Sequence, residues 1–87
     1  MSYVVKLKRS AEKELDRLPI KTHKRIVKVL LSLKEDPIPQ GTKKLHGRDG
    51  YRIRVGDYRI LYIIDESNKK VEVLSVAHRS EVYRLQR

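Results

Sequence analysis

An α+β fold follows from three features of the sequence. Two early segments carry apolar residues at helical spacing, three later runs alternate apolar and polar residues, and the Gly56-Asp57 pair folds the first two of those runs together. These features predict one domain over residues 1–87, with two N-terminal helices packed on one face of a small, mainly antiparallel four-stranded sheet. The expected element order is β-α-α-β-β-β, followed by a short C-terminal helical turn.

Residues 3–8, "YVVKLK", have the β-branched and aromatic content of a first strand, with Tyr3, Val5 and Leu7 on one face. Ser10 offers an N-cap, Glu12 and Glu14 suit the positive end of a helix, and Ala11, Leu15 and Leu18 recur at i, i+4, i+7. That helix ends near Pro19. A second helix from Lys21 to about Lys34 presents Ile26, Val29, Leu30 and Leu33, widened by Val27 and Leu31 into a broad core stripe. Asp36-Pro37 closes it, because the residue before proline is pushed away from helical angles. The loop "PIPQGTKKLHGRDG" over 37–50 has Leu45 as its strong candidate for an anchor.

Side-chain parity assigns the faces of the remaining strands. A two-residue turn at Gly56-Asp57 pairs Val55 with Tyr58, Arg54 with Arg59, Ile53 with Ile60 and Tyr51 with Tyr62. A second turn at Glu66–Lys69 sets Tyr62 against Val73, Ile60 against Ser75 and Arg59 against Val76. Tyr51, Ile53, Val55, Tyr58, Ile60, Tyr62, Ile64, Val71 and Val73 then form the face that packs on the helices. The reverse carries Arg52, Arg54, Arg59, Leu61, Leu74, Val76 and His78, with Arg79 and Tyr83 just past the strand, and residues 80–86 form the helical turn.

Composition narrows the function. The chain has no cysteine, which fits a reducing compartment, and neither an apolar run long enough to span a bilayer nor the apolar core of a signal peptide. A cytoplasmic protein without membrane attachment is expected. Twenty-one Lys and Arg against eleven Asp and Glu leave a net charge of +10, spread along the whole chain, and a field of that sign favours nucleic acid as partner.

The arginine face is the most informative feature. Like charges set directly across a strand pair cost up to ~1 kcal/mol in a domain whose whole stability is ~5–15 kcal/mol. Such a cost calls for a compensating anion. Asp57 and Glu81 are the internal alternatives; Glu72, expected opposite Ile63, lies roughly 13 Å along the strand from Arg59. An external phosphate is the other partner, and the planar guanidinium fork matches its oxygens in pairs. Several forks around one phosphorus stabilise the charge that builds up as it becomes pentacovalent. His23, His46 and His78 lack the spacing of a metal pair and no acidic triplet is present, so no metal site or cofactor is expected. RNA carries its own nucleophile, the 2′-hydroxyl beside the scissile phosphate, whereas DNA does not. An arginine site without metal therefore points to RNA cleavage.

Tyr83, four residues after Arg79, offers a ring on which an unpaired base can stack; its alternative role is a core tyrosine of the last helix. His78 titrates near neutral pH and is a candidate proton carrier, with a half-exposed strand-end histidine as the alternative. Lys21, Lys24, Arg25 and Lys28 fall on one stripe of the second helix, which is either a solvated face or a contact for RNA backbone. Lys43 and Lys44 in the loop join them as RNA-binding candidates.

These residues resemble a family. "KLHGRDGYRIRVGDYRILYIID" followed by "VEVLSVAHRSEVY" is similar to the RelE branch of the RelE/ParE toxin superfamily, and the element order extends the likeness over the chain. The resemblance implies a bacterial or archaeal type II toxin that enters the ribosomal A site and cuts messenger RNA by 2′-hydroxyl attack, leaving a 2′,3′-cyclic phosphate. It also implies a cognate antitoxin, with operator DNA reached only through the toxin-antitoxin complex. The family's third-strand arginine matches Arg59, its arginine after the fourth strand matches Arg79, and its base-stacking tyrosine matches Tyr83. Its two basic positions on the second strand match Arg52 and Arg54. Some members have lysine at those two positions; arginine stays charged, so proton transfer falls to another group such as His78 or gives way to electrostatic stabilisation. Two other functions compete: a ParE-like toxin that blocks gyrase by protein contact, and a non-catalytic module that binds RNA or the ribosome.

Overall fold

The computed structural model describes residues 2–78, so Arg79, Tyr83 and the expected helical turn at 80–86 lie outside the described residues. Its elements run β1 (Val4–Leu7), α1 (Arg9–Asp16), α2 (Ile20–Ser32), β2 (Lys43–Lys44), β3 (Tyr51–Val55), β4 (Tyr58–Asp65) and β5 (Lys70–His78). They form a five-stranded sheet in the order β1-β5-β4-β3-β2, in which β1 runs parallel to β5 and the other neighbours are antiparallel.

The sheet has one strand more than expected. The extra strand, β2, is two lysines with no strand propensity of their own, set opposite the edge of β3 as Lys43 against Arg52 and Lys44 against Tyr51. Its loop is pinned at both ends. The Tyr62 hydroxyl donates to the Pro37 carbonyl at 2.7 Å, and the Leu45 amide donates to the Gly50 carbonyl at 3.0 Å. Leu45 is the anchor the sequence suggested, packed with Leu61 and Ala77. Gly50 sits at φ 130°, and a Cβ there would stand 3.0 Å from Leu45 Cδ1 and 3.1 Å from the Tyr62 carbonyl oxygen, so a side chain is excluded on both counts.

Helix α1 begins before Ser10. The Lys8 amide donates to the Val73 carbonyl at 2.8 Å, closing the β1–β5 ladder, and the Lys8 carbonyl already accepts from the Glu12 amide at 2.9 Å. The end of the strand thus sets the helix start at Lys8, and Ser10 falls inside the first turn without capping it. Ala11 and Leu15 of α1 and Ile26, Leu30 and Leu33 around α2 pack on Ile53, Val55, Ile60, Tyr62, Val71 and Val73 of the sheet. Val5 and Leu7 of β1, and Tyr3 just before it, join this core. Leu31, expected to widen the α2 stripe, is exposed instead.

The hairpin register matches the sequence-based expectation from Tyr51–Tyr62 to Val55–Tyr58. Gly56 has φ +61° and Asp57 is not among the positive-φ residues, the sign pattern of a type II′ turn that suits strand twist. Between β4 and β5 the expectation holds from Asp65–Lys70 to Tyr62–Val73 and then fails. The next pair is Leu61–Ser75, so Leu74 has no opposite number on β4 and the ladder bulges. Beyond it Ile60 faces Val76, Arg59 faces Ala77 and Tyr58 faces His78, one residue off the expected pairing. One inserted residue exchanges the faces of everything after it. Val76 therefore packs in the helix-side core, whereas Ala77 joins the cluster on the arginine side. Among the described residues no helix is long and apolar enough to cross a membrane.

Candidate functional site

Arg52, Arg54 and Arg59 line one cavity of about 170 Å³ on the sheet face away from the helices, with Gly41 and Lys43 completing its wall. Backbone geometry gathers them. Arg52 and Arg54 are two apart on β3, and Arg59 lies directly across from Arg54 on β4. The side chains of such positions share a face because successive residues of a strand alternate sides. Lys43 enters through β2, where it stands opposite Arg52. The sequence placed Lys43 among general RNA contacts; its place in this basin depends on the short β2 pairing, for which two adjacent lysines give no local signal.

Among the described residues, four cations thus line one small concavity. No acidic side chain among the described residues lies within ion-pairing distance of Arg52 or Arg54. Arg54 Nε donates to the Gly56 carbonyl at 3.0 Å, which holds its guanidinium near the hairpin turn. The basin therefore concentrates positive charge and fixed N–H donors, the arrangement that receives a phosphate.

His78 lies elsewhere. The bulge at Leu74 turns it to the helix side, where its ring meets Tyr58 edge-on with centroids 5.5 Å apart and an interplanar angle of 85°. There it lines a separate cavity with Glu14, Arg17 and Leu18. Strand parity in the sequence sets His78 beside the arginines, and the physical reason for the difference is the single unpaired residue upstream. Arg79 and Tyr83 lie outside the described residues.

Lys21, Lys24, Arg25 and Lys28 are all exposed on α2, as their spacing suggested. They belong to the helix layer, and the structure does not bring them into the arginine basin. Arg25 reaches farthest: a Cβ on Gly56 would stand 3.3 Å from its Nη1, so its guanidinium lies over the hairpin turn. Lys44 is exposed opposite Tyr51, on the other parity from Lys43.

Comparison with known proteins agrees with this architecture. Residues 5–83 match the family described as the ParE toxin of the type II toxin-antitoxin system parDE. Toxin RelE of Mycobacterium tuberculosis is 33% identical over 85 residues, covering 95% of this chain and 88% of the relative. The toxin-antitoxin complex RelBE2 of the same organism contains a chain that superposes with a TM-score of 0.81 at 29% identity, covering 91% of this chain and all of that one. The isolated RelE toxin of E. coli superposes with a TM-score of 0.79 at 30% identity, over 97% of this chain and 94% of its own. With the family matched along nearly its whole length, this chain belongs to the RelE/ParE superfamily as a RelE-type toxin of a type II toxin-antitoxin system.

Proposed function

We propose that this toxin is a ribosome-dependent endoribonuclease that cleaves messenger RNA by attack of the RNA's own 2′-hydroxyl, giving a 2′,3′-cyclic phosphate. The observation that carries the proposal is the shared basin of Arg52, Arg54, Arg59 and Lys43. In the mechanism, Arg52 and Arg54 steady the scissile phosphate. Arg59, together with Arg79, binds the phosphate and the leaving oxygen as negative charge grows. Tyr83 stacks on a neighbouring base, and the α2 stripe with Lys44 contacts RNA backbone.

The position of His78 supports a division of labour in which the basin contributes charge stabilisation. His78 stands on the opposite face of the sheet from Arg54 and Arg59, whereas a general acid or base needs hydrogen-bond reach, directly or through one water, of the proton it moves. His78 would act as proton carrier only if β5 shifted its register.

A cognate antitoxin is the expected partner: the M. tuberculosis neighbour is itself a toxin-antitoxin complex. Operator DNA would be met only through that complex, in the cytoplasm. Primer extension on translating ribosomes tests the reading. The parent protein should produce discrete cuts in the message, and Arg59→Ala should reduce them by roughly 10²–10³-fold, the usual effect of removing one donor from a developing oxyanion, while ribosome binding is retained. A gyrase-directed toxin is the second reading, because the matching family carries the ParE description. It predicts no cutting by the parent and unchanged toxicity in Arg59→Ala.

A further inference from the structure

Ser75 is 6% exposed, and its hydroxyl is buried with no hydrogen-bond partner among the described residues. It lines a cavity of about 340 Å³ that also involves Lys8, Ser10, Glu14, Arg48 and Leu61. Three physical features converge there. The first is the buried hydroxyl, which lacks the partner that a buried polar group ordinarily has. The second is the N-terminus of α1, where Lys8 is the cap residue without any side-chain capping bond, leaving amide donors at the positive end of the helix. The third is the cationic lining from Lys8 and Arg48. Among the described residues that line it, Glu14 is the acid, and one of its oxygens is tied down, accepting from the Val76 amide at 3.0 Å.

The position of this cavity relative to the arginine basin gives it meaning. Lys43 faces Arg52, Arg52 faces Leu61 and Leu61 faces Ser75, so all four stand in one row across β2, β3, β4 and β5. Residues directly opposite one another share a face. The bulge at Leu74 is what brings Ser75 to the arginine side. Two interstrand steps separate Arg52 from Ser75, roughly 10 Å at the usual strand spacing.

We infer that the cavity between the N-terminus of α1 and Ser75 binds a second phosphate of the RNA strand whose scissile phosphate occupies the arginine basin. The Ser75 hydroxyl and the first-turn amides of α1 donate to it, and Lys8 supplies neutralising charge. The site rests on the ribonuclease reading for the identity of its ligand, and on its own residues for phosphate binding. Its effect is to fix the direction and register of the strand across the sheet, so that the 2′-hydroxyl is held in line.

The test uses the parent protein, Lys8→Gln, Ser75→Ala and Arg52→Ala, with 2′-O-methyl RNA that cannot be cleaved, as a dinucleotide and as a hexanucleotide. Lys8 is exposed, so Lys8→Gln serves as the variant whose folding is not at issue. Lys8→Gln and Ser75→Ala should each weaken hexanucleotide binding roughly tenfold to a hundredfold, the range for a lost bond to a charged group, and leave the dinucleotide unaffected. Lys8→Gln should also lower the salt slope by about one. Arg52→Ala should weaken both RNAs. If both cavity variants bind the hexanucleotide like the parent while Arg52→Ala weakens it, the second site is refuted and the ribonuclease reading stands. Inorganic phosphate followed by amide NMR shifts separates the two claims. Shifts at Ser10, Ala11 and Ser75 support the site even if the protein binds neither RNA, in which case the ribonuclease reading fails; shifts confined to the arginine basin overturn the site.

Discussion

Replacing Arg52 with Gln should make the free protein more stable and, on the proposed ribonuclease function, weaken cleavage. Arg52 stands directly opposite Lys43, lies diagonally from Arg59, and is two residues from Arg54 on the same strand face. A directly opposed like-charged pair costs ~0.2–1 kcal/mol, and diagonal neighbours add less. Glutamine keeps much of the side-chain stem, so the packing of this half-buried residue is largely retained and the change isolates the charge. The expected gain is about 0.5–1 kcal/mol, which in a domain of this size raises the melting temperature by about 2–8 °C. The assay is thermal unfolding of antitoxin-free protein by circular dichroism, at low salt and again in 1 M salt. The Debye length shrinks to ~3 Å in 1 M salt, so the gain should fade there. Cleavage on ribosomes should fall in parallel. A melting temperature that drops at low salt, or a rise that persists undiminished in 1 M salt, would refute the claim that the basin stores electrostatic repulsion.

Other outcomes follow from the same contacts. Tyr62 is fully buried and donates to Pro37, so Tyr62→Phe should cost about 1–3 kcal/mol by leaving that carbonyl without its partner, measured by urea denaturation. Leu45→Ala should cost about 2–5 kcal/mol and also weaken cleavage, because Leu45 anchors the loop that carries Lys43 into the basin. Glu66 has its carboxyl held below the value of 4.5 usual for glutamate, first by the hydrogen bond from Tyr3 and then by Lys69. A depressed folded pKa means stability that is present above the unfolded value and lost as pH falls through the folded one. The difference in melting temperature between the parent and Tyr3→Phe should therefore shrink as pH drops below 4.5; a constant difference would show that this bond does not couple to the titration.

Much of the fold was legible because two signals act locally. Helical spacing of Ile26, Leu30 and Leu33 requires only neighbouring turns of the same helix, and Gly56-Asp57 fixes a hairpin register by backbone geometry alone. The arginine basin followed from that register, since Arg54 and Arg59 pair across the turn itself. The elements that escaped depend on distant contacts. Nothing in Lys43-Lys44 marks a strand; the buried Tyr62 hydroxyl and Leu45 place it there. Nothing near Ser10 shows that the β1–β5 ladder ends at Lys8 and starts the helix early. Leu74 alternates as well as its neighbours, and its bulge resolves a competition between core packing of Val76 on the helix side and of Ala77 beside Leu61 on the other. His78 went to the unexpected face through that same residue, so one insertion in a ladder changed one candidate role.

On the proposed function, cationic side chains gathered on one sheet face promote attack by a 2′-hydroxyl of the bound message. The direct measurement is cleavage on ribosomes programmed with a message carrying a single 2′-deoxynucleotide immediately 5′ of the cut. This substitution should abolish cutting at that bond without releasing the protein from the ribosome, and the unmodified message should yield an upstream fragment ending in a 2′,3′-cyclic phosphate. Undiminished cleavage of the deoxy-substituted message would contradict it.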